Sequence, residues 1–94
     1  MAQVRNVEKR IYEIEGFGVA IRNMNGRRLS ATGDLPMYAF YEKMAPNKWT
    51  VQKWKNDRFL CNYPGCQVDV FNGKGRKAIG QTTLATLRDT YLEE

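Results

Sequence analysis

Histidine is absent from this chain, and with it the commonest general base and the commonest metal ligand. Cysteine occurs only at Cys61 and Cys66, too few to close a tetrahedral zinc site within one chain. No catalytic set of Lys, Tyr or carboxylate residues stands out, so the chain is expected to be no enzyme and to need no cofactor or metal. No apolar run approaches the roughly 20 residues of a membrane span. The stretch Met1-Ala2-Gln3-Val4-Arg5-Asn6-Val7-Glu8-Lys9-Arg10 holds no hydrophobic signal core. These absences predict a cytoplasmic protein with no membrane partner. In a reducing compartment, Cys61 and Cys66, on either side of Pro64-Gly65, are expected as two packed thiols in preference to a disulfide.

What is present fits one small domain. The chain has 94 residues, 43% apolar and 27% charged, the proportions of an ordinary globule. Five Tyr, four Phe and two Trp supply much of the apolar area, at about 150–250 Å² each. Fifteen Lys and Arg against ten Asp and Glu leave a net charge of +5, which favours polyanionic partners.

Along the chain, residues 1–7 read as a flexible lead-in. Tyr12 and Ile14 alternate on one parity and Phe17, Val19 and Ile21 on the other, so an extended segment from Lys9 must change face near Gly16. Asn25-Gly26 then signals a hairpin spanning 9–32. A loop of two residues would set Ile21 against Ser30. A loop of three, Met24-Asn25-Gly26, pairs Asn23 with Arg27 and sets Ile21 opposite Leu29 and Val19 opposite Ala31, with Gly26 left-handed.

A helical segment is expected over 35–62. Asp34 would cap a first helix with Pro36 in its opening turn and Met37, Phe40, Tyr41 and Met44 on one stripe. Thr50 would cap a second, whose apolar residues Val51, Trp54, Phe59, Leu60 and Cys61 nearly ring the axis. Arg58, four residues after Trp54, would stack on its indole. A second hairpin follows over 66–80, turning at Asn72-Gly73-Lys74-Gly75. A last helix over 83–94 is capped by Thr82 or Thr83, with Leu84, Leu87 and Tyr91 on one face.

The two hairpins echo each other at an offset of 49: Gly16/Gly65, Val19/Val68, Asn23/Asn72, Gly26/Gly75, Arg27/Arg76 and Leu35/Leu84 are identical. The predicted architecture is α+β, an antiparallel sheet of about four strands in two β-hairpins with about three helices on one face, read as a pseudo-repeated ββα unit.

Function is sought at the hairpin ends. Arg27, Arg28, Lys74, Arg76 and Lys77 place cations beside both turns, where they can reach nucleic-acid phosphates without sequence preference. Phe71, off the Val68/Val70 parity, is the aromatic best placed to stack on a base. Gly73-Lys74-Gly75 lacks the rest of a nucleotide-binding fingerprint. These residues point to a small non-enzymatic DNA- or RNA-binding protein. The second reading is a homodimeric protein-interaction or accessory module, of the kind carried by phages or mobile elements, drawn from the Trp, Tyr and Met content.

Overall fold

Val4, Val7, Ile11 and Glu15 recur at spacings of three and four, and in the computed structural model all four are buried on one face of helix α1, Val4–Glu15. The structure describes residues 2–30, 33–39 and 41–92. The helix overturns two expectations: the flexible lead-in over 1–7 and the extended reading of 9–15. Alternation of Tyr12 and Ile14 covers only a few residues, whereas the helical period runs through the whole segment and buries Val4 and Val7 at about 1.5–3 kcal/mol each. Ahead of it lies the short strand β1, Ala2–Gln3. The Val4 N–H donates to the Gly33 carbonyl at 2.7 Å, satisfying the helix start without a side-chain cap. Gly16 is the break, as expected, but as a left-handed helix terminus (φ 84°) and not a strand bulge; its N–H donates to the Tyr12 carbonyl.

The chain then runs through β2 (Gly18–Asn23), β3 (Asp34–Leu35), helix α2 (Val51–Trp54) continuing as a π-helical segment over Lys55–Leu60, β4 (Cys66–Phe71) and α3 (Leu84–Asp89). This is an α+β fold with two antiparallel two-stranded sheets, β1–β3 and β2–β4. In the second sheet Val19 faces Val70 and Ile21 faces Val68, so four β-branched side chains share the core face. Phe17, Trp54, Phe59 and Tyr63 complete this core, with ring centroids 5.0, 6.0 and 5.0 Å apart in succession.

The expected four-stranded sheet is not formed among the described residues. Each hairpin return contributes a single bridge, Arg22↔Arg28 and Phe71↔Lys77, closed on the strand side by Leu29 N–H to the Ile21 carbonyl or Ala78 N–H to the Val70 carbonyl. At the first hairpin the cause is visible. The Glu8 carboxylate accepts the Ile21 N–H at 2.8 Å, which is the donor the next rung would need.

The three-residue loop and the pairing of Ile21 with Leu29 are as expected; Ala31 lies outside the described residues. The ββα unit is not reproduced. A helix follows the second hairpin, but Asp34 follows the first as a strand residue paired with Gln3. No helix forms over the described residues of 36–50, and Phe40 lies outside them. Met37 and Met44 are exposed, so their stripe is not a core face.

The reason is a buried charge cluster that claims this segment's polar groups. The Glu15 side chain is fully buried and accepts from the Tyr38 hydroxyl at 2.6 Å, the Ala45 N–H at 2.8 Å and Arg58 Nη1 at 2.8 Å. Arg88 Nη2 stands 3.5 Å from the same carboxylate. Arg58 also donates to the Lys43 carbonyl, and Arg88 to the Ala45 carbonyl and the Asn47 side chain. Burial, then the adjoining Glu15 carboxylate, pushes the Tyr38 phenol far above its ordinary range, so it stays a donor.

Thr50 caps α2 as expected, its hydroxyl accepting the Lys53 N–H at 3.2 Å. The π-helical segment brings Phe59, five residues on, to the buried side with Trp54, and leaves Leu60 and Cys61 exposed. It also re-aims Arg58, which lies 4.0 Å over the Tyr41 ring and not over Trp54. Thr83 caps α3, accepting from the Thr86 N–H. That helix stops at Asp89, short of the expected 94, because Thr90 and Tyr91 are bound to the second hairpin and its strand; Glu93 and Glu94 lie outside the described residues. No helix among the described residues is long and apolar enough to cross a membrane.

Candidate nucleic-acid interface

Each hairpin turn is organised by an asparagine. At the first, the Asn23 side-chain oxygen accepts the N–H groups of Asn25 (2.9 Å) and Arg27 (3.1 Å), while Asn23 N–H donates to the Arg27 carbonyl at 2.8 Å. At the second, Asn72 accepts from Lys74 (2.9 Å) and Arg76 (3.1 Å) and donates to the Arg76 carbonyl at 2.8 Å. Gly26 and Gly75 close the loops at φ 83° and 82°. An added Cβ at either glycine meets nothing within 4 Å, so only the backbone conformation opposes substitution. Gly26→Ala and Gly75→Ala are therefore expected to lower stability by about 1–2 kcal/mol each, measured by urea unfolding. Equal loss at both sites is the signature of equivalent turns.

These turns fix where the basic residues lie. Arg27 and Arg76 are exposed, and neither side chain makes an ion pair or hydrogen bond with another described residue. Arg28 Nη2 pairs with Glu8 at 3.1 Å yet stays 56% exposed; Lys77 Nζ pairs with Asp69 at 3.5 Å and stays 64% exposed. Lys74 is exposed at the tip of the second turn. The six candidates do not form one patch. Strands β2 and β4 run antiparallel over six residue pairs, so the turns leave opposite ends of the sheet, roughly 20 Å apart at about 3.3 Å per residue. Arg27 and Arg28 mark one end; Lys74, Arg76 and Lys77 mark the other. Phe71 lies at the second end, half-buried, with its carbonyl accepting the Tyr91 hydroxyl.

Between the ends, the second face of the sheet carries Gly18, Ala20, Arg22, Gln67, Asp69 and Phe71, alternating with the core-facing Val19, Ile21, Val68 and Val70, and Ala20 is buried on it. At its centre Asp69 pairs with Arg22, and Lys77 reaches the same carboxylate from the second end. Burial would raise the Asp69 carboxyl, but the Arg22 guanidinium, followed by Lys77, outweighs it and holds the group below the usual carboxylate range. A depressed carboxyl adds stability above its unfolded value, about 3.9, and that contribution fades as pH falls through the lower folded value. Asp69→Asn should accordingly flatten part of the acid limb of stability below about pH 4 while leaving its slope near pH 7 unchanged. Acid titrations of both proteins by circular dichroism check this.

Sequence reasoning named the cations of the tips but missed other residues around them and in the buried cluster. Glu8 sits on the α1 flank facing the first hairpin, and at 100° per residue Arg5, Lys9 and Tyr12 share that flank. Their helical spacing was the available signal. Arg22, Glu15 and Arg88 carried none, because their partners are distant in the chain. Among the open depressions bordered by the described residues, two stand out. One of about 490 Å³ is lined by Thr50, Gln52, Ile79, Gly80 and Gln81, none of them ionisable. The other, about 280 Å³, borders the second tip at Asn72 and Lys77. Among the described residues no three His, Cys, Asp or Glu groups converge as metal ligands. No protein-family model, curated protein or solved structure matches the chain.

Proposed function

We propose that the chain is a small non-enzymatic protein that binds nucleic acid through its two basic hairpin tips. The observation that carries this reading is Arg27 and Arg76, held in matching turn geometry, exposed, and unpaired with any described acidic group. Arg28 and Lys77 stand next to them at equivalent bridges.

Duplication supports the reading further. We read the chain as two copies of a strand–helix–hairpin unit. Gln3↔Asp34 corresponds to the bridge Thr50↔Thr83, and the bond from Val4 N–H to the Gly33 carbonyl corresponds to that from Val51 N–H to the Thr82 carbonyl. The basic tip is then one of the features that both copies keep.

Titration of labelled oligonucleotides by fluorescence anisotropy, at several salt concentrations, tests the proposal. Binding in the micromolar range is expected at 50 mM salt, falling linearly with the logarithm of salt concentration. The quadruple variant Arg27→Ala, Arg28→Ala, Arg76→Ala, Lys77→Ala should weaken it at least tenfold and remove about three to four units of salt slope, at roughly 0.9 per phosphate. Unchanged affinity in that variant would overturn the reading.

A further inference from the structure

We infer that the nucleic acid engaged by these tips is double-stranded, with one tip on each strand; the inference rests on the proposed function and names its substrate class. An antiparallel pair of strands has a local two-fold axis perpendicular to the sheet. The register Ala20↔Asp69 puts that axis between these two residues, so position 20+n is carried onto position 69+n. It takes Asn23 to Asn72, Gly26 to Gly75, Arg27 to Arg76 and Arg28 to Lys77. The two cationic tips are thus related by a dyad that carries each basic residue onto its counterpart on the same side of the sheet.

A duplex has the matching symmetry. Its two sugar–phosphate strands run antiparallel and are exchanged by dyads, as the two-fold matching of dimeric proteins to operator half-sites illustrates. A single strand has one polarity and no such axis. Dimensions agree as well. The tips are roughly 20 Å apart along the strands, and a B-form major groove about 12 Å wide separates the backbones that the arginine side chains would reach. The face between the tips argues against a single strand lying along it. Asp69 offsets Arg22 at its centre, so an acidic group interrupts any cationic track from tip to tip. Phe71 is half-buried there and is the only aromatic among its sheet positions, where a single-strand platform stacks successive bases.

The test compares a 20-base-pair DNA duplex with one of its separated strands in the anisotropy assay, using the whole chain and two double variants, Arg27→Ala/Arg28→Ala and Arg76→Ala/Lys77→Ala. Melting curves of the variants confirm that each is folded. The duplex should bind at least tenfold more tightly than the single strand at the same salt concentration. Each double variant should remove a similar part of the duplex salt slope, between one and two units at roughly 0.9 per phosphate. Equal or tighter binding to the single strand, or a slope that responds to one tip alone, overturns the duplex inference while leaving nucleic-acid binding intact. Absence of salt-dependent binding to either oligonucleotide overturns both.

Discussion

Glu15→Ala is expected to destabilise the protein by about 3–5 kcal/mol, the range for breaking a buried ion pair by removing one partner. A domain of this size holds roughly 5–15 kcal/mol in total, so the variant should stand at the edge of folding at 25 °C. The size of the effect follows from what the carboxylate holds. Arg58 and Arg88 keep only 14% and 11% of their side-chain surface, and without Glu15 two cations are left nearly dry beside each other. The Tyr38 hydroxyl and Ala45 N–H lose their acceptor together. Arg58→Met should cost less, because the carboxylate keeps Arg88, and Arg88→Met less for the converse reason. Urea unfolding of the three variants gives the ranking. A loss below 1 kcal/mol for Glu15→Ala would show that the cluster does not hold the 36–50 segment in place.

The second large effect concerns Gly73. A Cβ built there would lie 2.2 Å from the Thr90 carbonyl oxygen, 2.6 Å from its carbon and 2.9 Å from the Tyr91 nitrogen. All three are backbone atoms, so no side-chain rotation relieves the clash, and Gly73→Ala must push the second turn away from the end of α3. The Gly73 N–H bond to Thr90 Oγ1 (2.7 Å) would be lost with it, and the Tyr91 hydroxyl, which accepts the Gly18 N–H at 2.8 Å, would be drawn off the sheet. Overpacking at about 1–3 kcal/mol and lost hydrogen bonds at about 0.5–1.5 kcal/mol each sum to about 3 kcal/mol. That is on the order of 15 °C in Tm for a chain of this length. Met24 occupies the equivalent position in the first turn and is 62% exposed, so Met24→Ala should change stability by no more than about 0.5 kcal/mol. Similar Tm values for the two variants would contradict the docking of α3 on the second turn.

Local chemistry was legible in the sequence and distant partnership was not. The three-residue turns could be read because Asn, Gly and the register of Ile21 against Leu29 all lie within ten residues of one another. Thr50 and Thr83 could be read as caps for the same reason. Helix α1 was missed because Tyr12 and Ile14 imitate a strand over a short window, while the deciding partners of Val4 and Val7 are supplied by the folded core. The stripe at Met37, Tyr41 and Met44 gave the opposite error: its helical period was satisfied, but Glu15, Arg58 and Arg88 claim the backbone groups nearby. Of the candidate interface, sequence supplied the cations and the equivalence of the turns. It could not supply their separation, which depends on β2 pairing with β4.

That pairing has a kinetic consequence. Asn23 meets Cys66 and Gly18 meets Phe71, partners more than forty residues apart in the chain. Each turn, by contrast, is closed by bonds spanning five residues or fewer. Short loops close in tens of nanoseconds, whereas non-local pairing must first overcome the entropy of closing a long one. Both basic tips are therefore expected to close first, with the meeting of the two halves as the slow event in folding.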